Sequence, residues 1–270
     1  PTGHCHSPHL LFVMRLAGWL YPRVLLVSMV AVVLLTLLAA GGTSSASLAA
    51  FNPSWDGTSQ VRSVADATDT EPVIARNVST YQNASPNRTI AFVMSPTEPY
   101  SDTESQAVAS FVRAGGTVLV AEDYGSHGND LLRAVGADAR VTGVSLRDEQ
   151  RQGSSPAFPR ATPQSNHPYT ANVSGIMPNH GSTIDAANAT PLFVSSEFSY
   201  LDRNRNEELD DSEVLQRHPV VTVESVGAGT VIVVSDASVF LNAMHERSDN
   251  AAFARALLAP HDAVLLDVSH

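Results

Sequence analysis

Asp202–Glu213, DRNRNEELDDSE, sets oxygen-bearing side chains at alternate positions along twelve residues. Against a calcium-loop template, Asp202, Asn204 and Asn206 fall at positions one, three and five, and Glu208 at seven. Asp210 stands at nine and Glu213 at twelve, with Leu209 as the apolar anchor at eight. Alternate side chains of a tight loop point inward, which suits a hard cation. Glu207 occupies position six, where such loops use glycine; a positive φ there costs a non-glycine residue about 1 kcal/mol. Both flanks read as strand, so the expectation is a weak calcium site on a β-hairpin loop. The competing reading is a solvated acidic turn.

A second group, Glu122–Asn129 (EDYGSHGN), lies between a strand and a helix. In doubly wound sheets ligands bind at strand C-termini. Glu122, Asp123 and His127 are the acid, base or ligand candidates. Gly125 and Gly128 would admit a ligand, and Asn129 lies at a helix N-terminus, where N–H groups are free. Two glycines in a loop carry no phosphate fingerprint, and an ordinary strand-to-helix turn explains them as well. Ser235-Asp236 with Asn242 follows another strand, which would set Asp236 beside Glu122. Asp267 and His270 follow the last. No G-x-S-x-G elbow occurs. Cys5 is the only cysteine, so the region after residue 50 has no thiolate nucleophile and no cysteine metal site.

The elements that must position these groups alternate. Helices are expected at 56–69, 101–113, 130–135 and 248–258. Apolar strands are expected at 72–76, 88–94, 117–121, 190–201, 218–226, 229–234 and 263–268. Solid apolar strands between helices predict an α/β fold: a doubly wound, mainly parallel, flavodoxin-like sheet with a β-rich insertion. Residues 147–180, rich in proline and serine, read as a polar surface excursion.

Val24–Ala40, VLLVSMVAVVLLTLLAA, predicts a transmembrane helix over residues 24–42 ahead of this sheet, the alternative being a cleaved signal, since Gly41–Ala50 resembles a signal-peptidase site. Arg15 and Arg23 precede it and the next basic residue is Arg62. The positive-inside rule therefore places residues 1–23 in the cytoplasm, a tether at 43–55, and an extracytoplasmic domain at 56–270. The expected location is the cell membrane, single-pass, with the bilayer and membrane proteins as partners. Five N-x-[ST] triplets, at Asn77, Asn83, Asn87, Asn172 and Asn188, agree with that side. All 16 basic residues are arginine, and after residue 50 there are 14 of them against 27 acids. Such a surface repels duplex phosphate, so nucleic acid is not an expected partner. It also suits solution at very high salt, where self-repulsion is screened.

The stretches Asn52–Asp66, Gly115–Asp123 with Gly128–Leu132, Tyr200–Glu213, and Ser235–Met244 with Asp249–Leu258 carry a resemblance. With them, residues 15–270 resemble a haloarchaeal membrane-anchored family, domain-of-unknown-function family 4350. Its soluble domain is similar to the class I glutamine-amidotransferase-like fold of gliding-motility ABC-transporter auxiliary proteins. The amidotransferase nucleophile is a cysteine in the turn after a strand. The resemblance thus implies the fold without that activity. Members of the family commonly continue past the D-x-S-H at Asp267–His270 toward a second membrane helix.

These readings converge on a membrane-tethered, non-catalytic binding or assembly module of a halophile, auxiliary to a transport or envelope complex. One alternative is a hydrolase of external glycan or peptide using Glu122, Asp123, His127 and Asp236. Another is a calcium-stabilised structural domain.

Overall fold

The computed structural model describes residues 24–33 and 46–270. The chain divides into two compact units, residues 1–44 and 45–270. In the first, residues 24–33 are helical. No helix among the described residues is long and apolar enough to cross a membrane. A span needs about 20 residues, and ten residues of this helix are described. The expected transmembrane anchor over 24–42 is thereby overturned, and with it the single-pass location it dictated. Residues 34–42 of that stretch lie outside the described residues, as do residues 1–23 and the first part of the tether.

The second unit begins with helix α1 (Ser59–Ala67), strand β1 (Glu71–Ala75) and the short helix α2 (Ser79–Asn83). Next come β2 (Thr89–Met94), α3 (Asp102–Arg113), β3 (Thr117–Ala121) and α4 (His127–Val135). Short strands follow: β4 (Arg140–Val141), β5 (Ser145–Asp148), β6 (Thr162–Pro163) and β7 (Ile184–Asp185). The chain continues through β8 (Thr190–Val194), β9 (Ser199–Asp202), β10 (Pro219–Val226) and β11 (Gly229–Val234). It closes with α5 (Asn250–Leu258) and β12 (Ala263–Asp267).

Eight strands form one sheet in the order β1-β12-β2-β3-β11-β10-β8-β6. The first five run parallel. Beyond β11 the pairing is antiparallel. The sheet is therefore mixed, a five-stranded parallel block with an antiparallel edge. The reversal comes from the two-residue turn Gly227-Ala228, where Gly227 adopts φ +64°. A turn that short can join only antiparallel neighbours.

Strand alternation sorts the core onto two faces. Val118, Val120, Val231 and Val233 pack with Val108 and Phe111 of α3 and Leu131 and Leu132 of α4. Leu119, Ala121, Ile232 and Val234 pack with Val61 and Val64 of α1 and Phe253 and Leu257 of α5. α3 starts at a capping box: Glu104 N–H donates to Ser101 Oγ, and Ser101 N–H donates to Glu104.

Three further expectations change. The strand expected over 190–201 is two strands. β8 joins the main sheet, and β9 pairs with β5 in a separate ribbon. Phe198 N–H closes a turn on Ser196 Oγ between them. The acidic loop after β9 therefore links two sheets and is not a hairpin. The 147–180 excursion is not merely surface, because its Ala161, Tyr169, Val173 and Ile176 belong to the α1/α5 core. Finally, α4 starts three residues earlier than expected, so Gly128 and Asn129 are helical.

Candidate functional site

β3 and β11 lie side by side in parallel, with Ala121 opposite Val234. Glu122 N–H donates to Val234 O at 3.0 Å. This sets Glu122-Asp123 next to Ser235-Asp236 at one end of the sheet. Side chains still alternate there. Glu122 continues the face of Val120, beneath α4, and Asp236 continues the face of Val234.

Glu122 is 2 % exposed. Its Oε1 accepts the N–H groups of Asp123 and Gly125, both at 3.1 Å. Its Oε2 has no partner. Burial pushes its pKa up, against the pull of the Gly125 and Asp123 N–H groups. A Cβ on Gly125 would lie 2.6 Å from Glu122 Oε2, and one on Gly128 would lie 3.1 Å from Glu122 Cβ. These glycines thus make room for Glu122 itself. His127 presents a buried Nδ1, again without a partner.

Asp236 is 1 % exposed. It accepts Asn179 N–H at 2.5 Å, and Ser238 N–H and Oγ–H at 2.7 Å each. Burial raises its pKa to about 7. The Ser238 and Asn179 donors oppose the rise, and the Asp123 carboxylate adds to it. Tyr124 Oη donates to His180 O at 2.6 Å, while the Arg205 guanidinium stands 5.8 Å from the Tyr124 ring centre. Residues 179–181 of the excursion and the loop after β9 thus both reach this end of the sheet.

Asn129 and Asn242 serve the fold. Asn129 clamps the backbone of Val141 through both amide atoms, at 2.8 and 2.9 Å. Asn242 accepts Gln60 N–H at 2.9 Å, capping α1, and donates to Asn52 O and Ser54 O.

The acidic loop closes on itself. The two carboxylate oxygens of Asp202 accept the N–H groups of Asn206 and Glu207, both at 3.1 Å. Asp210 Oδ2 accepts the amides of Asn204 and Asn206, and Glu213 accepts Arg203 N–H and Asp210 N–H. Glu208 N–H donates to Asn206 Oδ1. Glu207 takes φ +68°. No group of three or more His, Cys, Asp or Glu among the described residues is set to hold a metal ion.

Two arrangements had no signal in the sequence beyond residue type. Asp267 at the end of β12 accepts Tyr81 Oη at 2.6 Å and Tyr100 Oη at 3.0 Å, and Ser269 closes on its other oxygen. His270 stacks on Tyr100 with ring centres 3.8 Å apart. Arg147 is buried and lies 4.0 Å from Asp202 and 3.6 Å from Glu207. Tyr81 and Asp267 are 186 positions apart, beyond any local pattern.

A cleft of about 770 Å³ lies elsewhere. It is lined by Glu71, Thr89 and Asp262 at the opposite ends of β1, β2 and β12.

No curated protein matches the sequence. Among solved structures, the mmIFT52 N-terminal domain is similar with a TM-score of 0.48 and 13 % identity, covering 62 % of this chain and 74 % of that one. Cytoplasmic Protein STM1381 from Salmonella typhimurium LT2 gives 0.43 and 12 %, covering 75 % and 84 %. A beta-galactosidase from Bacillus circulans sp. alkalophilus gives 0.36 and 17 %; 64 % of this chain matches 22 % of that enzyme. The family described as a domain of unknown function (DUF4350) matches residues 50–258, and the chain belongs to it.

Proposed function

We propose that this protein is a non-catalytic α/β binding or assembly module, an accessory to a larger assembly such as a transport complex. Its scaffold is read as amidotransferase-like, without the cysteine nucleophile. The observation that carries this reading is the use of polar groups at the strand ends. Asp236, Asp267, Asn129 and Asn242 each accept hydrogen bonds from distant backbone or buried hydroxyls. A catalytic pair needs open geometry toward a substrate, and these groups are occupied in holding loops to the sheet. Purification of the tagged full chain from its own cells under mild conditions tests the proposal. A reproducible stoichiometric partner is expected, and a consistently lone monomer would count against it.

A second reading, a hydrolase of glycan or peptide, draws on Asp236. A carboxyl group with a pKa of about 7 beside Asp123 suits general acid work. Here Asp236→Asn would abolish turnover of a glycan or peptide substrate while preserving the fold. Turnover unchanged in that variant would exclude the reading.

A further inference from the structure

We propose that the adjoining ends of β3 and β11 form a site for a small primary-amine cation, held by Glu122 Oε2, Ser235 Oγ and His127 Nδ1. The proposal rests on the binding-module reading and names the ligand chemistry of that module's strand-end site.

Three observations carry it. The first is placement. Val120 and Val233 share one face of the sheet. Glu122 and Ser235 each lie two residues on from them, so both continue that face. The Glu122 N–H bond to Val234 O keeps the two strand ends together. α4 begins over the same face: Gly128 packs against Glu122 and Val120, and His127 precedes it.

The second is the state of the atoms. Ser235 is 0 % exposed and Glu122 is 2 % exposed. Glu122 Oε2, Ser235 Oγ and His127 Nδ1 are all buried and all without a partner. Buried polar atoms are nearly always bonded, so an unmet one is a costly exception. Three from two adjacent strand ends and the helix above them mark a place for a group that the protein does not itself provide.

The third is charge. Glu122 is almost fully buried at this end of the sheet, with Asp123 next to it in the chain. Among the described residues, neither belongs to an ion pair. A buried carboxylate calls for a compensating cation. The missing partner must therefore donate hydrogen bonds and carry positive charge. An –NH3+ group does both: it offers three N–H donors to a carboxylate, a hydroxyl and an imidazole nitrogen. A metal ion fits less well, because among the described residues no set of three or more acidic, histidine or cysteine side chains is arranged to hold one.

The test compares melting of the full chain in methylammonium chloride with melting in tetramethylammonium chloride, at equal concentration and neutral pH. Tetramethylammonium has the charge but no N–H. The melting temperature is expected to be about 3 °C or more higher in methylammonium. Glu122→Gln and Ser235→Ala should each remove most of that difference. Ser235→Ala deletes one hydroxyl, so it serves if Glu122→Gln does not fold. Equal melting in the two salts would overturn the proposal and leave an internal water as the occupant. A rise produced by calcium chloride and lost in Glu122→Gln would overturn it in favour of a metal. Partner purification reads the module proposal separately: a lone monomer with an intact methylammonium response would sink the module and keep the site.

Discussion

Asp236 puts a carboxyl group where water cannot reach it. Its pKa of about 7 lies above the ordinary value of 3.8 because burial outweighs three donated hydrogen bonds. The folded state therefore binds this proton more tightly than the unfolded chain does. Its contribution to stability is fullest below about pH 4 and is lost as pH rises toward 7. Replacing it with asparagine keeps an acceptor and removes the titration. In urea unfolding, wild type should lose up to roughly 4 kcal/mol relative to Asp236→Asn between pH 4 and pH 7.5. Parallel pH profiles for the two proteins would contradict this. Asp267 behaves differently, since it gathers the Tyr81 and Tyr100 hydroxyls and the tail at Ser269. Asp267→Ala leaves buried tyrosine hydroxyls unmet and is expected to destabilise by about 2–3 kcal/mol in denaturant titration. Residue types made both aspartates visible in the sequence as strand-end acids. Their partners were not, because Asn179 and Tyr81 lie 57 and 186 positions away.

At the scale of elements, the 202–213 loop shows how one pattern serves two chemistries. Alternating Asp and Asn suit a cation, and they equally suit carboxylates and amides that cap the loop's own N–H groups. Asp202 does the latter for Asn206 and Glu207. Asp202→Ala is therefore expected to destabilise by about 1–3 kcal/mol in denaturant titration. Isothermal titration with calcium tests the cation reading: heat that vanishes in Asp202→Ala would establish it, and no heat from wild type would sink it. The 147–180 segment gives the converse lesson. Its proline- and serine-rich composition hides a few apolar residues that pack deep. Ile176 is 0 % exposed, so Ile176→Ala should lose about 2–5 kcal/mol. A surface excursion would lose almost nothing, and chemical denaturation separates the two.

For the globular unit as a whole, charge is the governing property. Beyond residue 50 the chain holds 14 arginines against 27 acids, and among the described residues few of those acids are paired. Self-repulsion of that kind falls as salt shortens the Debye length from about 10 Å at 0.1 M to about 3 Å at 1 M. The melting temperature of the chain should rise steadily across that range. A flat or falling response would show that the acids are too well solvated to matter.

The sequence by itself determined the elements whose causes are local. Apolar runs bounded by turn residues located β2, β3 and β11, and the helix expected over 101–113 is α3. Composition alone removed cysteine chemistry beyond Cys5 and fixed the acidic character. Hydropathy also predicted a membrane span, and no helix among the described residues is long and apolar enough to make one. Tertiary structure decided which strands became neighbours, because pairing depends on contacts across the whole chain. It split β8 from β9, turned one edge of the sheet antiparallel, and drew the excursion into the core. It also brought the ends of β3 and β11 side by side. Only the parallel register of β3 and β11 sets Glu122 beside Ser235 on one face and Asp236 on the other.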